Sequence, residues 1–189
     1  MSMKPETGRN SSFTRVLLTL ANTFDHPINI VETGCIRNTS DNSKWGDGWS
    51  TVNWEYHARE TGSKVYVVDI DINHINQAQK IVPPSEFVEY TKDDSINYLK
   101  GFDKPIHLLF LDSYDYGGTP ENVRKCHEHS LNELKAAWDK LTDKCLVLID
   151  DVYNNEFDGK GKLSIPYLLE NGFELLHCMD SQAFLGRNL

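Results

Sequence analysis

Short apolar, β-branched runs alternate with helix-period segments along most of this chain, and that alternation limits the fold more than any other feature of the sequence. INIV (28–31), KVYVVDID (64–71), FVEYT (87–91), PIHLLFLD (105–112) and CLVLID (145–150) read as strands, because near-continuous apolar runs suit strands buried on both faces. An N-terminal amphipathic helix is predicted from Phe13, Val16, Leu17, Leu20, Ala21 and Phe24, behind the cap candidates Ser11 and Ser12. Further helices are expected near 49–61, 72–81 and 95–99. A long one starts at Thr119-Pro120-Glu121 and carries Leu131, Leu134, Trp138 and Leu141 on one face. A short helix from about Ser164 to Asn171-Gly172 precedes FELLHCM (173–179) and QAFLGR (182–187). Only Asp180-Ser181 joins those two strands, so they can pair only as a hairpin. The series predicts an α/β fold: a mostly parallel sheet closed by an antiparallel strand.

Composition narrows the functional classes. The chain has 189 residues, which predicts one domain over 1–189, with 1–10 flexible. Its 19 Lys and Arg against 28 Asp and Glu give a net charge of −9, which argues against a nucleic-acid surface, where cations must neutralise phosphates. No apolar run approaches the roughly 20 residues that span a bilayer, and MSMKPETGRN lacks a signal-peptide core. A soluble cytoplasmic protein without a membrane partner is expected. Cys35, Cys126, Cys145 and Cys178 are far apart and form no CxxC pair, so reduced thiols are expected rather than zinc or disulfides.

Ligands of an open parallel sheet sit outside the carboxyl ends of its strands. Acids stand at four of those ends: Glu32, Asp69 with Asp71, Asp112, and Asp150 with Asp151. A dinucleotide site wants G-x-G-x-x-G after the first strand, and only Gly34 is offered. The polar stretch 34–48 reads as a long loop, of a length that usually serves a site; it is expected to act as a lid. His127 and His129, two apart on a helix, cannot share one ion and read as surface histidines.

IVETGCIR (30–37) resembles the first motif of class I S-adenosylmethionine-dependent methyltransferases, and VVDID (67–71) their second. The resemblance runs from about residue 11 to the end. It implies a Rossmann-like seven-stranded sheet of order 3-2-1-4-5-7-6, strand seven antiparallel, with helices on both faces. It also implies S-adenosylmethionine as cofactor, with Glu32 and Gly34 at the first turn and Asp69 on the ribose. TKDDSINYL (91–99) is similar to the family's adenine loop, which assigns Asp94 to the exocyclic amine and the Ser95 backbone to the ring. Ser50 matches a hydroxyl residue that touches the cofactor carboxylate, and equally suits a helix N-cap. Trp45, Trp49, Trp54 and Tyr56 flank the loop, where aromatic faces could stabilise the sulfonium or pack in the core.

FLDSYDY (110–116) with LIDDVYN (148–154) resembles the metal-dependent O-methyltransferases of catechol, caffeoyl-coenzyme A and macrolide-sugar type. The resemblance implies Asp112, Asp150 and Asp151 as metal ligands, with Asp112 also at the cofactor. Three carboxylates at one point repel unless a cation neutralises them, and oxygen ligands select a hard ion, Mg²⁺ first, with Ca²⁺ or Mn²⁺ as alternatives. Those families place a Lys or His base three residues beyond the first ligand; here that position is Asp115. The expected function is Mg²⁺-dependent O-methylation of a small hydroxylated acceptor, with Asp115 and Asp112 catalytic. A metal-free methyltransferase and a non-catalytic scaffold on the same fold are the alternatives. A homo-oligomer stays open.

Overall fold

Strands that are apolar on both faces need helices on both sides, and the computed structural model, which describes residues 6–154 and 156–189, has that arrangement. The strands are β1 (Asn29–Thr33), β2 (Lys64–Asp69), β3 (Val88–Lys92), β4 (Ile106–Leu111), β5 (Leu141–Ile149), β6 (Val152–Tyr153), β7 (Asp158–Gly159), β8 (Glu174–Met179) and β9 (Gln182–Arg187). The helices are α1 (Asn10–Thr23), α2 (Asp41–Gly46), α3 (Ser50–Thr61), α4 (Ile72–Ile81), α5 (Ser95–Gly101), α6 (Pro120–Ala137) and α7 (Gly161–Glu170). The sheet order is β3-β2-β1-β4-β5-β9-β8. β1 to β5 pair in parallel and β9 runs antiparallel to both neighbours. A two-stranded ribbon, β6 with β7, takes two numbers, so this is the expected seven-stranded order.

The pleat sorts the core. Ile30, Val67, Leu108, Phe110 and Leu148 face α1 and α3, while Val31, Leu109, Leu111, Val147 and Ile149 face Leu99 of α5, Leu134 of α6 and Ile165 of α7. On the first face Phe13 stands edge-on to Trp54 at 5.3 Å and to Phe110 at 6.3 Å, which locks α1 and α3 onto β4. β1 pairs with β2 on one edge and β4 on the other. The strand order therefore reverses between β1 and β4, and a crevice opens beyond their carboxyl ends.

Several local expectations change. The stretch 34–48 is not all loop: α2 forms inside it, with Ser40 accepting from Ser43 N at 3.2 Å as its N-cap. Neither Ser11 nor Ser12 caps α1. Arg9 takes that position, and the free Ser12 N–H donates to Asp180 Oδ2 at 2.9 Å. Asp180 is presented by the hairpin turn, where it and Ser181 both have positive φ (53° and 59°), the geometry of a two-residue type I′ turn. β5 starts at Leu141 rather than Cys145, its polar first half lying outside the apolar signal. Of the segment expected to be flexible, residues 1–5 lie outside the described residues. Within 6–10, Thr7 is buried and Gly8 N donates to Lys44 O at 3.0 Å. Among the described residues no helix is long and apolar enough to cross a membrane.

Phe13→Ala is expected to cost about 3–5 kcal/mol, read as a fall in the urea midpoint with an unchanged slope. A loss below about 1 kcal/mol, the size of a surface substitution, would mean that α1 is dispensable to the core.

Candidate functional site

Gly34 ends β1 with φ +82°, and a β-carbon there would lie 2.3 Å from the Asp112 carbonyl oxygen at the end of β4. Only glycine permits that approach. Its N–H donates to Val68 O at 2.8 Å, and Asp112 N donates to Thr33 O at 3.0 Å, so the ends of β1, β2 and β4 are stitched together at one rim. A cavity of about 460 Å³ opens there, lined in part by Gly34, Trp49, Ser50, Asp69, Asp112 and Asp115.

Asp69 ends β2 at one wall of this cavity. Its Oδ1 accepts from Asp71 N at 2.8 Å and lies 3.2 Å from His74 Nδ1, and the Cys35 thiol donates to Oδ2 at 3.4 Å. Asp71 itself caps α4. An adjoining cavity of about 270 Å³ is lined by Asp94, Ser95 and His129. Asp94 caps α5, accepting from Asn97 N at 3.0 Å. The helix cap and the place beside the cavity thus coexist in one residue.

Glu32 departs from expectation. It is fully buried beneath the cavity and accepts from Ser50 Oγ and, at 2.7 Å, from Thr51 Oγ1. Burial pushes its carboxyl up to about 8, against the two hydroxyl donors, with the charge of Asp112 adding to the rise. Ser50 is not the N-cap of α3; Trp49, in the left-handed region, holds that position. Glu32 and Ser50 therefore anchor the start of α3 to β1, and Ser50 meets the cavity with its hydroxyl already committed. Of the aromatics near the loop, Trp49 lines the cavity, Trp54 is core and Trp45 is exposed.

Asp112, Asp150 and Asp151 converge as expected: one oxygen from each lies within 4.8 Å of the others. What holds them was not expected. Lys160 Nζ sits among them, 2.5 Å from Asp112 Oδ1 and 3.0 Å from Asp151 Oδ2. Arg9 NH1 lies 2.9 Å from Asp150 Oδ2, and Arg9 NH2 is 3.7 Å from Asp151 Oδ1. The Lys160 side chain is 3% exposed. Burial alone would pull its pKa down, yet the charges of Asp112, Asp150 and Asp151 outweigh that and hold it above the usual lysine value. Burial and the neighbouring Asp112 raise the Asp150 carboxyl, opposed by Arg9 and Lys160. Asp151 is also pushed up by burial, but Lys160, Tyr153 and Arg9 outweigh it and bring it below the carboxylate norm.

The arrangement does not fit a divalent ion as it stands. Mg²⁺ needs oxygens at about 2.0–2.1 Å, and the point between Asp112 and Asp151 is filled by an ammonium whose charge would repel the metal. The premise that the acids need an added cation fails because the chain brings its own.

Asp115 lines the cavity at its mouth, 72% exposed, and pairs with Arg37 at 2.7 Å. His127 and His129 are half-buried and partnered rather than free at the surface. His127 stacks on Tyr116 and lies 3.4 Å from Asp158, while His129 Nε2 is 3.2 Å from Ser95 Oγ and 3.5 Å from Glu133. Sequence reasoning passed over Arg9 and Lys160. The signal for the last was a lysine between two glycines, Gly159 and Gly161, just after the paired acids.

A family model described as a methyltransferase domain matches residues 44–152, more than half of the chain. No curated protein sequence matches it. Among solved structures, the SAH-bound Podospora anserina methyltransferase PaMTH1 is 17% identical with a TM-score of 0.62, over 92% of this chain and 76% of that one. A methyltransferase from Geobacter sulfurreducens gives 16% and 0.62, over 93% and 77%. The MycE methyltransferase of the mycinamycin biosynthetic pathway, in complex with Mg and SAH, gives 15% and 0.62, over 98% of this chain but 56% of that one. At these identities the likeness shows the fold.

Between pH 4.5 and about 8 the folded state holds a proton on Glu32 that the unfolded state has lost, so this residue makes stability fall as pH rises through that window. Glu32→Gln cannot titrate. Relative to wild type it is expected to gain on the order of 2–4 kcal/mol between pH 4.5 and 8.5, measured by denaturant unfolding at each pH. A difference that stays flat across the window would show Glu32 ionised.

Proposed function

This chain belongs to the methyltransferase-domain family, and from that premise we propose that it moves the methyl group of S-adenosylmethionine to an oxygen of a small hydroxylated acceptor. The observation that carries the proposal is the crevice between β1 and β4, where the Gly34 turn meets Asp112 and the Asp69 carboxylate faces a cavity of about 460 Å³. The strand order reverses there, which opens a crevice for a ligand beyond the strand ends.

In this proposal Asp69 accepts from the ribose hydroxyls, and the rest of the donor lies beside the Gly34 turn that lines the cavity. Adenine takes the adjoining cavity, with Asp94 toward its exocyclic amine, the Ser95 backbone along the ring and His129 as a wall. Glu32 acts at one remove: it fixes Ser50 and Thr51 and so positions the start of α3, while Ser50 touches the amino-acid end of the donor. Asp47, Asp69, Asp112 and Asp115 all line the larger cavity, against the single guanidinium of Arg37. That balance favours a donor carrying a sulfonium and an ammonium.

Transfer is an in-line displacement. A lone pair on the acceptor oxygen forms the new C–O bond as the C–S bond breaks; sulfur leaves as a neutral thioether and the hydroxyl proton passes to Asp115 or to water. Orientation of the two reactants can supply roughly 7–11 kcal/mol of the barrier. Asp112 lies where donor and acceptor meet and orients the incoming hydroxyl. Lys160 holds Asp112 in place, so no step here runs through a metal.

Asp69→Asn removes the charge from a hydrogen bond to the ribose and is expected to weaken S-adenosylmethionine binding roughly tenfold to hundredfold, read by titration calorimetry. Wild type that binds the donor and passes labelled methyl to members of a panel of small hydroxylated compounds supports the proposal. Wild type that binds no donor points to a scaffold on the same fold.

A further inference from the structure

The acid cluster and its buried cations are fuller than the transfer chemistry requires. Three carboxylates from the ends of two neighbouring strands meet Lys160 and Arg9; Arg9 comes from the start of the chain, and Lys160 returns from nine residues beyond Asp151. Lys160 is delivered by the β6–β7 ribbon. The register pairs Val152 with Gly159 and Tyr153 with Asp158, which turns the chain back on itself directly after Asp151. Gly159 has φ +89°, and a β-carbon there would lie 1.8 Å from the Asp151 carbonyl oxygen. No other residue type allows so close a return. The Lys160 N–H then donates to Asp151 O at 3.2 Å, which aims its side chain inward at Asp112 and Asp151. Asp151 itself has φ 49°, a strained backbone for a residue other than glycine, held by this turn.

From this geometry we propose that Lys160 is the resident cation of the Asp112–Asp150–Asp151 cluster, standing where a divalent metal would bind, and that it positions Asp112 for methyl transfer without a metal ion. The inference rests on the methyltransferase reading for its link to catalysis, though not for its account of the cation. Two of the three ammonium hydrogens are committed to Asp112 and Asp151. Formal charge is three negatives against two positives, and the third and fourth positive charges of a divalent metal would overcompensate the cluster. Removing Lys160 deepens the negative excess: three carboxylate groups then face one guanidinium, and the vacated centre has oxygen ligands alone, the donor set hard cations prefer.

The test is electron paramagnetic resonance of Mn²⁺ titrated into wild type and Lys160→Ala, with turnover measured in parallel in EDTA and in Mg²⁺. Wild type is expected to bind no stoichiometric Mn²⁺ and to keep its turnover in EDTA. Lys160→Ala is expected to bind one Mn²⁺ at least about tenfold more tightly than wild type, to gain thermal stability on adding Mg²⁺, and to recover in Mg²⁺ part of the turnover it has lost. A lysine with a purely packing role would give no metal-specific rescue. Wild type that binds one Mn²⁺ per chain and stops in EDTA overturns the proposal. So does a folded Lys160→Ala that takes up no metal. The wild-type titration decides even where Lys160→Ala fails to fold, and Lys160→Met, which keeps the buried stem, serves as the second variant. Failure of the methyltransferase reading would appear separately, as absence of donor binding in calorimetry with the Mn²⁺ results unchanged.

Discussion

Carboxylates at the ends of adjacent parallel strands cannot converge in a buried place unless positive charge converges with them, and here the charge is supplied from within by Lys160 and Arg9. Breaking one partner of such a buried group leaves uncompensated charge and is typically costly. Much of the architecture around the site follows from that need. The chain before α1 must lie against the sheet so that Arg9 can reach Asp150, and it does so by bonding to Lys44 and Asp47 around α2. The chain after β5 must double back at once so that Lys160 returns to Asp151, which is the work of the short ribbon and of Gly159. The first helix and the last third of the chain are thereby fastened to the same rim.

The other constraint is the contact of the Gly34 turn with the Asp112 carbonyl. It sets the crevice floor and brings the donor-binding wall, carrying Asp69, within one cavity of the charged cluster, reached through Asp112. Glu32 supports this floor from below. A buried acid that accepts from two hydroxyls at the start of α3 ties the helix to the strand, so that the segment 35–49 is anchored at both its ends.

What the sequence made legible was local. Apolar runs marked the strands of the sheet and their order along the chain, and acids at the strand ends marked the rim. A strand end is recognisable from a few residues, and the reversal of strand order fixes where such ends meet. The cations were illegible for the complementary reason. Arg9 and Asp150 are separated by most of the chain, and Lys160 joins Asp112 only because a two-residue ribbon, too short for a periodic signal, bends the backbone between them. Ser50 shows the same limit at short range. Its position before a helix suits an N-cap, but a buried glutamate on β1, eighteen residues earlier, competes for its hydroxyl and wins. His127 and His129 read as surface histidines because residues two apart on a helix cannot share one ion, and that spacing says nothing of Asp158 and Glu133, which they meet in space.

The most direct measurement is the position of Mn²⁺ by anomalous diffraction from crystals grown with S-adenosylhomocysteine and excess Mn²⁺. If internal cations balance the cluster, Lys160 Nζ remains between Asp112 and Asp151, no anomalous peak lies within coordination distance of those carboxylates, and the thioether lies in the crevice beside Gly34. An anomalous peak coordinated by Asp112, Asp150 and Asp151, with Lys160 swung out of the cluster, would contradict the account.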